Sequence, residues 1–547
     1  MGLKRVASKL RMQAMENAGL VTAVSGYPVP GDERKSMRSF NASANHVDAD
    51  TLPILQQSRA GSRDLWMNTP IAIAALKRVR TNVVGYGLSL QSTIDRSFLG
   101  LTDEEADAWE DNVEREFALW AQSKECDVRR TSTFEDLQAV ALMSTLMSGD
   151  CFVLLPSVKR PNMPYDLRVQ LLEADFVCNP PTKEETTSFA GGIENDKWGA
   201  PVKYWVKYFP QNLSIYASAF IGFNSMLGDW KGIPAFGEKT GRRNVLHLFE
   251  VDRPGQRRGV PFLAPILETL KQLTRLSEAE LMAAVVTSYL TVFVKDVPGQ
   301  LPFNTGYLPG ASPLDPATQP GGSGVATATR PQDANKLVLG SGSIGVLDKN
   351  QEVQVVDPTR PNALFANFFE AICKQIGAAT EVPYEQLMLV FGSSYSASRA
   401  ALLEAWKFYR KWRAWMARNF CNPIYQEFLT EAVLKGRINA PGFFDDPAIR
   451  AAWCGAEWNG AGQGQIDPLK ETQAALGRIG GNLSSHEQEA VAIDGRDWVA
   501  TVTRLGREKK RIEKLNLTMT TGQEKPVPEP PDDEGGPPKP AKKKEKS

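Results

Sequence analysis

The chain has 547 residues, 42% of them hydrophobic and 23% charged, which is too long for one compact core and calls for two to four subdomains. Lysine plus arginine equals aspartate plus glutamate at 63 each, which argues against a surface built to grip many phosphates; neutrality fits a conduit better than a clamp, and fits any ordinary cytosolic protein as well. No apolar run approaches the roughly 18 residues that a membrane span needs, and the six cysteines, with no pair at short metal-ligand spacing, read as buried free thiols.

Residues 1–60 show no sustained periodicity and are expected to form an arm. Thr69-Pro70 then opens a helix by the cap-then-proline rule, running to Gly85 with Ile71, Ala75, Val79 and Val83 on one face. Two capping boxes follow, Thr102-x-x-Glu105 and Ser132-x-x-Glu135. The first starts a helix burying Trp109, Val113, Phe117 and Trp120, and the second a helix that stops at Ser148-Gly149. Short strand-like runs, CFVLLP, VKYWVKYF and NVLHLFEV, continue to about Val251, so the region is α+β.

From Pro265 a helix carries Ile266, Leu270, Leu273, Leu281 and Val285 as its apolar face, with charges of alternating sign between them, and ends in a strand TVFVKD. The Gly- and Pro-rich stretch Pro298–Pro331 cannot form a core and is expected to be a surface excursion. Strands GVLDK and EVQVVD come next, then a helix from about Pro361 to Ile376. After the serine-rich VFGSSYSASR a helical pattern runs to about Leu434, with Leu403, Trp406, Tyr409, Trp412, Met416, Phe420, Ile424 and Phe428 three or four apart. One face is thus buried along roughly 55 Å at about 1.5 Å per residue. Ser396 or Ser398 can cap its start, and Pro423 should kink it near Asn419. Residues 521–547 are a disordered tail by composition.

Catalytic patterns fail on inspection. Gly340-Ser-Gly342-Ser-Ile-Gly345 matches a dinucleotide fingerprint literally, but a strand follows where the phosphate-holding helix should begin. His486-Glu-Gln-Glu-Ala490 lacks the second histidine of a zinc protease, and the three histidines fall in three regions. No enzyme, cofactor or metal is therefore expected. Arg399, Lys407, Arg410, Lys411, Arg413 and Arg418 face Glu404 alone; they can meet DNA or an acidic partner, or form a solvated face opposite the tryptophans.

The segment VPYEQLMLVFGSSYSASRAALLEAWKFYRKWR from Val382 resembles the tunnel loop and long helix of bacteriophage portal proteins of the lambda family. Similar blocks flank it in the family's order: SRDLWMNTPIAIAALKRVRTNVVGYGLSLQS from Ser62, LMSGDCFVLLP from Leu146, LLEADFVCNP from Leu171, HLFEVDRPGQRRGVPFLAPIL from His247 and IDPLKETQAALGRIGGNLSSHEQEAVAIDGRDW from Ile466. Together they cover roughly residues 40–510.

The resemblance implies an α+β, multidomain portal-type subunit with long helices that forms a ring. It divides the chain into an arm (1–60), a wing (61–260), a first stem helix (261–292), a clip region (293–360), a second stem helix (361–381), a tunnel loop (382–398), a long wing helix (399–440), a crown or closing helical region (441–520) and the tail (521–547). A homo-oligomeric ring, a dodecamer, is implied at the capsid portal vertex of the virion, after assembly in the host cytoplasm. Its implied partners are double-stranded DNA in the channel, the terminase large subunit, the major capsid protein and the head-completion or tail connector proteins, with no membrane. Ser393, Ser394, Tyr395, Ser396, Lys271 and Arg275 are the expected channel-lining residues, the serines serving as loop lining or as plain caps. A phage hydrolase with an unrecognised active site, or a monomeric DNA-binding adaptor, are the alternatives.

Overall fold

The computed structural model describes residues 42, 44–208, 229–288, 293–294, 345–346, 365–391, 394–464, 467–495 and 498–514. The chain divides into two compact units, residues 1–458 and 459–547.

The first unit opens with helix α1 (Val47–Asn68), so residues 47–60 are helical where the sequence pattern leads one to expect an arm. The His46 ring accepts the N–H of Asp48, and Asp48 and Asp50 lie at the helix's positive end. Pro53, which removes a donor inside the helix, is what disguises it. Helix α2 (Pro70–Val83) follows at once and buries Ala72, Ala75, Leu76, Val79 and Val83. Strand β1 (Ser89–Ser92) and a single helical turn, α3 (Arg96–Leu99), lead to α4 (Asp103–Ala121), whose Thr102/Glu105 capping box forms as expected. Helix α5 (Phe134–Ser148) is capped one residue later than expected, by Thr133 and Asp136. Both registers satisfy the motif; burial of Phe134, Leu137 and Ala141 decides between them.

Strand β2 (Asp150–Leu154) is buried along its length because its two faces serve two cores. Cys151 and Val153 join the large core beneath the helices, whereas Phe152 and Leu154 join a smaller one with Val177, Ile193, Tyr204 and Val206. It pairs antiparallel with β3 (Gln170–Glu173) on one edge and with β8 (Val245–Phe249) on the other. A four-stranded antiparallel sheet lies between them in sequence: β4 (Phe189–Ala190), β5 (Ile193–Asn195), β6 (Pro201–Tyr208) and β7 (Asp229–Pro234). Strand β8 is Val245–Phe249, so all three expected strand runs are strands.

The junction between α5 and β2 holds a buried ionic node. The Asp150 carboxylate accepts the Gly259 N–H at 2.5 Å and Arg258 Nε at 2.6 Å; it is also paired with Arg59, and lies 3.1 Å from His247 Nε2. Gly149 and Gly259 pass so close that a Cβ on Gly149 would stand 2.4 Å from the Gly259 carbonyl oxygen, and Gly149 adopts φ +82°. Burial alone would push the Asp150 carboxyl up, but the Arg258 guanidinium, the contact with His247 and the Arg59 charge hold it well below the carboxylate range.

Helix α6 (Leu267–Ser288) is buried at its start, through Leu270 and Leu273, but Leu281 is 65% and Met282 60% exposed. The apolar face expected from Ile266 to Val285 is therefore half covered: Val285 too is exposed. Strands β9 (Phe293–Val294) and β10 (Gly345–Val346) pair in parallel. The Gly/Pro-rich stretch, EVQVVD, the fingerprint-like run before Gly345 and the tail lie outside the described residues. Helix α7 (Phe365–Thr380) packs with α6, burying Cys373 and Ile376.

The long helix is three pieces: α9 (Tyr395–Met416), a π turn (Ala417–Cys421) and α10 (Asn422–Leu434), preceded by the short α8 (Tyr384–Met388). The π turn is centred on Asn419, the residue whose carbonyl Pro423 cannot bond. From Trp406 to Phe428 the expected stripe is buried, while Leu403 stays 45% exposed. Helix α11 (Pro447–Trp453) and strand β11 (Ala456–Asn459), paired with β1, follow.

In the second unit, α12 (Pro468–Gly480) and α13 (His486–Asp494) are joined by a bidentate Arg478–Glu489 pair at 2.6 and 2.7 Å. His486-Glu-Gln-Glu-Ala490 is the first turn of α13, capped by Ser485 and Gln488. Helix α14 spans Trp498–Lys514.

Candidate functional site at the start of the long helix

The segment from Val382 to Ser398 is anchored at both ends. Val382 is buried and its N–H bonds to the Gly377 carbonyl at 3.1 Å, so close that a Cβ on Gly377 would stand 2.7 Å from the Val382 oxygen. Helix α8 is pinned from beneath: the Tyr409 hydroxyl of α9 donates to Gln386 Oε1 at 2.6 Å, and Leu387 is buried. Burial pushes the Tyr409 hydroxyl up to about 12, so it stays a donor. The segment is thus a rigid mount rather than a free loop up to Met388.

Beyond that the chain turns outward. Leu389 adopts φ +56°, a left-handed conformation that costs a leucine about 1 kcal/mol or more. Leu389, Val390 and Phe391 are 56%, 49% and 56% exposed. Three successive apolar side chains in solvent were not anticipated from the sequence, although the run LMLVFG carries them and no charge.

Ser394 is the cap of α9: its Oγ accepts the Ala397 N–H at 3.4 Å. This corrects the assignment of the cap to Ser396 or Ser398, which sit inside the first turn because the helix begins at Tyr395. Ser396 is exposed. Ser393 and the Tyr395 side chain lie outside the described residues. Lys271 and Arg275 are on another element, one turn apart on the exposed face of α6, with Lys271 3.5 Å from Asp64 of α1. No hydrogen bond or ion pair among the described residues joins them to Ser394 or Ser396.

The basic residues of α9 divide by job. Arg413 is drawn inward, donating to the carbonyls of Val83 at 3.1 Å and Asn82 at 3.0 Å, where it closes the C-terminal end of α2, and its guanidinium lies 5.4 Å from the Trp406 ring centre. Burial lowers its pKa. Lys411 pairs with Glu250 at 2.6 Å and Lys407 with Glu404 at 2.5 Å. The hydrogen bond from Glu250 raises the Lys411 pKa. The net charge that α9 offers a partner is accordingly smaller than its sequence indicates. A cleft of about 410 Å3 between α7, α8 and α9 is lined by Lys374, Glu381, Tyr384, Glu385 and Phe408, with Lys374 already bound to Glu370 at 2.8 Å.

Among the described residues no three His, Cys, Asp or Glu side chains are grouped to hold a metal ion, and no helix is long and apolar enough to cross a membrane. The six cysteines are free, and burial raises the thiol pKa of Cys126 and Cys151 to about 12.

Comparison with known proteins bears out the family resemblance. The chain is 24% identical over 470 residues to portal protein B of Escherichia phage lambda, covering 84% of this chain and 85% of that protein. It is likewise 24% identical over 490 residues to the portal protein of Escherichia phage N15, covering 88% and 89%. Among solved structures, a chain of the virion of a native gene transfer agent particle is similar at a TM-score of 0.36 and 14% identity, over 80% of this chain and 92% of that one. The family described as "Phage portal protein, lambda family" matches residues 33–413, and since that span is more than half of the sequence, the chain belongs to the lambda family of phage portal proteins.

Proposed function

We propose that copies of this chain, twelve of them, close into the ring at the capsid portal vertex through which double-stranded DNA is packaged and ejected. The observation that carries this beyond family membership is the uncovered half of α6: Leu281, Met282 and Val285 stand in solvent, with Phe368 of α7 56% exposed. A single subunit leaves an apolar strip there that a neighbouring copy can bury. In that ring the segment Leu389–Ser396 faces the channel, and neutral hydroxyls and apolar side chains pass DNA without a deep trap at each step, because a neutral hydrogen bond contributes only about 0.5–1.5 kcal/mol net. The role is structural, with no chemistry of its own. Terminase, the major capsid protein and head-completion proteins are its partners in turn. Light scattering during size-exclusion chromatography, followed by electron microscopy, tests the ring. A homogeneous monomer at micromolar concentration over several salt conditions would sink the reading.

A further inference from the structure

Helices α3, α4 and α11 enclose a concave apolar groove of about 350 Å3, with Trp109 and Trp453 at its base and Phe98, Leu101, Pro441 and Ile449 around it. The indoles are fixed: Trp109 Nε1 donates to the Asn439 carbonyl at 2.7 Å, Trp453 Nε1 to the Pro441 carbonyl at 3.2 Å, and the rings lie 4.6 Å apart. With both N–H groups satisfied and Trp453 only 4% exposed, the groove offers apolar ring surface, of Trp109 and Phe98, rather than donors. Phe98, 57% exposed, is available to a ligand from outside. Beside it the first nine residues of α4, Asp103–Asp111, carry six acids and no cation. Arg96 pairs with Asp103 and Asp107, both at 3.2 Å, and the Glu105 carboxyl is held below its ordinary value by the Thr102 backbone and hydroxyl, so it stays charged.

Aromatic faces alone can stack bases, but the carboxylates beside these repel nucleic-acid phosphates. Faces and carboxylates together suit a proline-rich strand followed by cations: pyrrolidine rings pack on aromatic faces with little conformational entropy to lose, and ammonium groups answer the carboxylates. The chain itself carries such a sequence outside the described residues, Pro537-Pro538-Lys539-Pro540-Ala541-Lys542-Lys543-Lys544. We propose that this groove is the docking site for residues 537–544 of a second copy of this chain.

The test uses the full-length protein with Phe98→p-benzoylphenylalanine, irradiated, digested and mapped by mass spectrometry. The expected main product joins position 98 to a fragment containing residues 537–544. Its yield should fall at least about five-fold when Pro537, Pro538 and Pro540 are changed to serine, and by a similar factor when Lys542, Lys543 and Lys544 are changed to glutamate, the latter effect shrinking at high salt because exposed charges are screened. A main product from any other segment, no product at all, or unchanged yields in both sets of variants would overturn the proposal.

Discussion

Asp150 accepts the Nε–H of Arg258 at 2.6 Å where the Asp150 side chain is 0% and the Arg258 side chain 2% exposed. Neither charge can be solvated, so each depends on the other. Three more of the five guanidinium N–H groups go to the carbonyls of Val177, Gly191 and Ala174. Through Gly191, between β4 and β5, Arg258 therefore ties β2 to the four-stranded sheet. Asp150→Ala would leave Arg258 buried without a counter-charge and Arg59 with Asp175 alone, and the expected loss is about 3–5 kcal/mol. Urea denaturation measures it; a loss under about 1 kcal/mol would mean that the node is not structurally required.

Acid should weaken the same node through His247. Its ring is buried between Phe152 and Phe249, with centroids 4.3 and 4.2 Å away. Burial lowers its pKa more than the hydrogen bond to Asp150 raises it. The unfolded chain then takes up the proton first, so stability from neutral His247 is complete above about pH 6.5 and drains away as the pH falls below that value. Asp150, held low, keeps its contribution above the ordinary carboxylate range and gives it up as the pH falls through that range and below it. A plot of Tm against pH from 7.5 to 5 should be steeper for the parent than for His247→Gln. Parallel plots would dismiss His247 as the source.

Capping and charge can be separated at the start of α9. Ser394→Ala removes the Ala397 acceptor and should cost about 0.5–2 kcal/mol locally, seen as faster hydrogen exchange at Ala397 and Ser398. Unchanged exchange there would show that the cap carries no energy. Ser396→Lys keeps the cap and adds a cation to an exposed position. Rings of this variant should package or eject DNA more slowly, with the defect easing between about 50 and 200 mM salt as counterion release weakens. If the variant matches the parent at both salts, the segment does not meet DNA.

The exposed half of α6 gives a test of assembly independent of DNA. Leu281→Lys together with Met282→Lys should abolish rings while the subunit's own melting moves by no more than about 0.5 kcal/mol per site, as for exposed positions generally. Intact rings would locate the subunit contact elsewhere.

Local rules made much of this molecule legible. Capping boxes, apolar spacing and strand runs depend on neighbours in sequence, and α4, β2, β6, β8 and the Trp406–Phe428 stripe follow them. What was hidden depends on distance. Asp150 and Arg258 are 108 residues apart, and the blocks containing them, Leu146–Pro156 and the one from His247, carry no mark that they meet. Periodicity likewise shows that Leu281 and Val285 are apolar but not whether anything covers them. Pro53 concealed α1 because a proline inside a helix is usually an interruption. At the candidate site, the serines drew attention while Leu389, Val390 and Phe391, which stand in solvent, were not singled out.

Asn419 lies at the middle of a π turn whose extra residue sets a phase. From Trp412 the buried positions recur every four residues, at Met416, Phe420, Ile424 and Phe428. On an unbroken α-helix each such step overshoots a full turn by about 40°, so the stripe would wind about 160° around the axis by Phe428. One added residue in the wider turn takes back about 100° of that winding, which keeps aromatic groups of α9 and α10 aimed into one core. The two halves of the long helix are thus geared by a single peptide unit. Closing Ala417–Cys421 to ordinary α turns at unchanged chain length would swing Tyr425 and Phe428 about 100° away from Phe117 and Trp458 while leaving every side chain chemically unchanged.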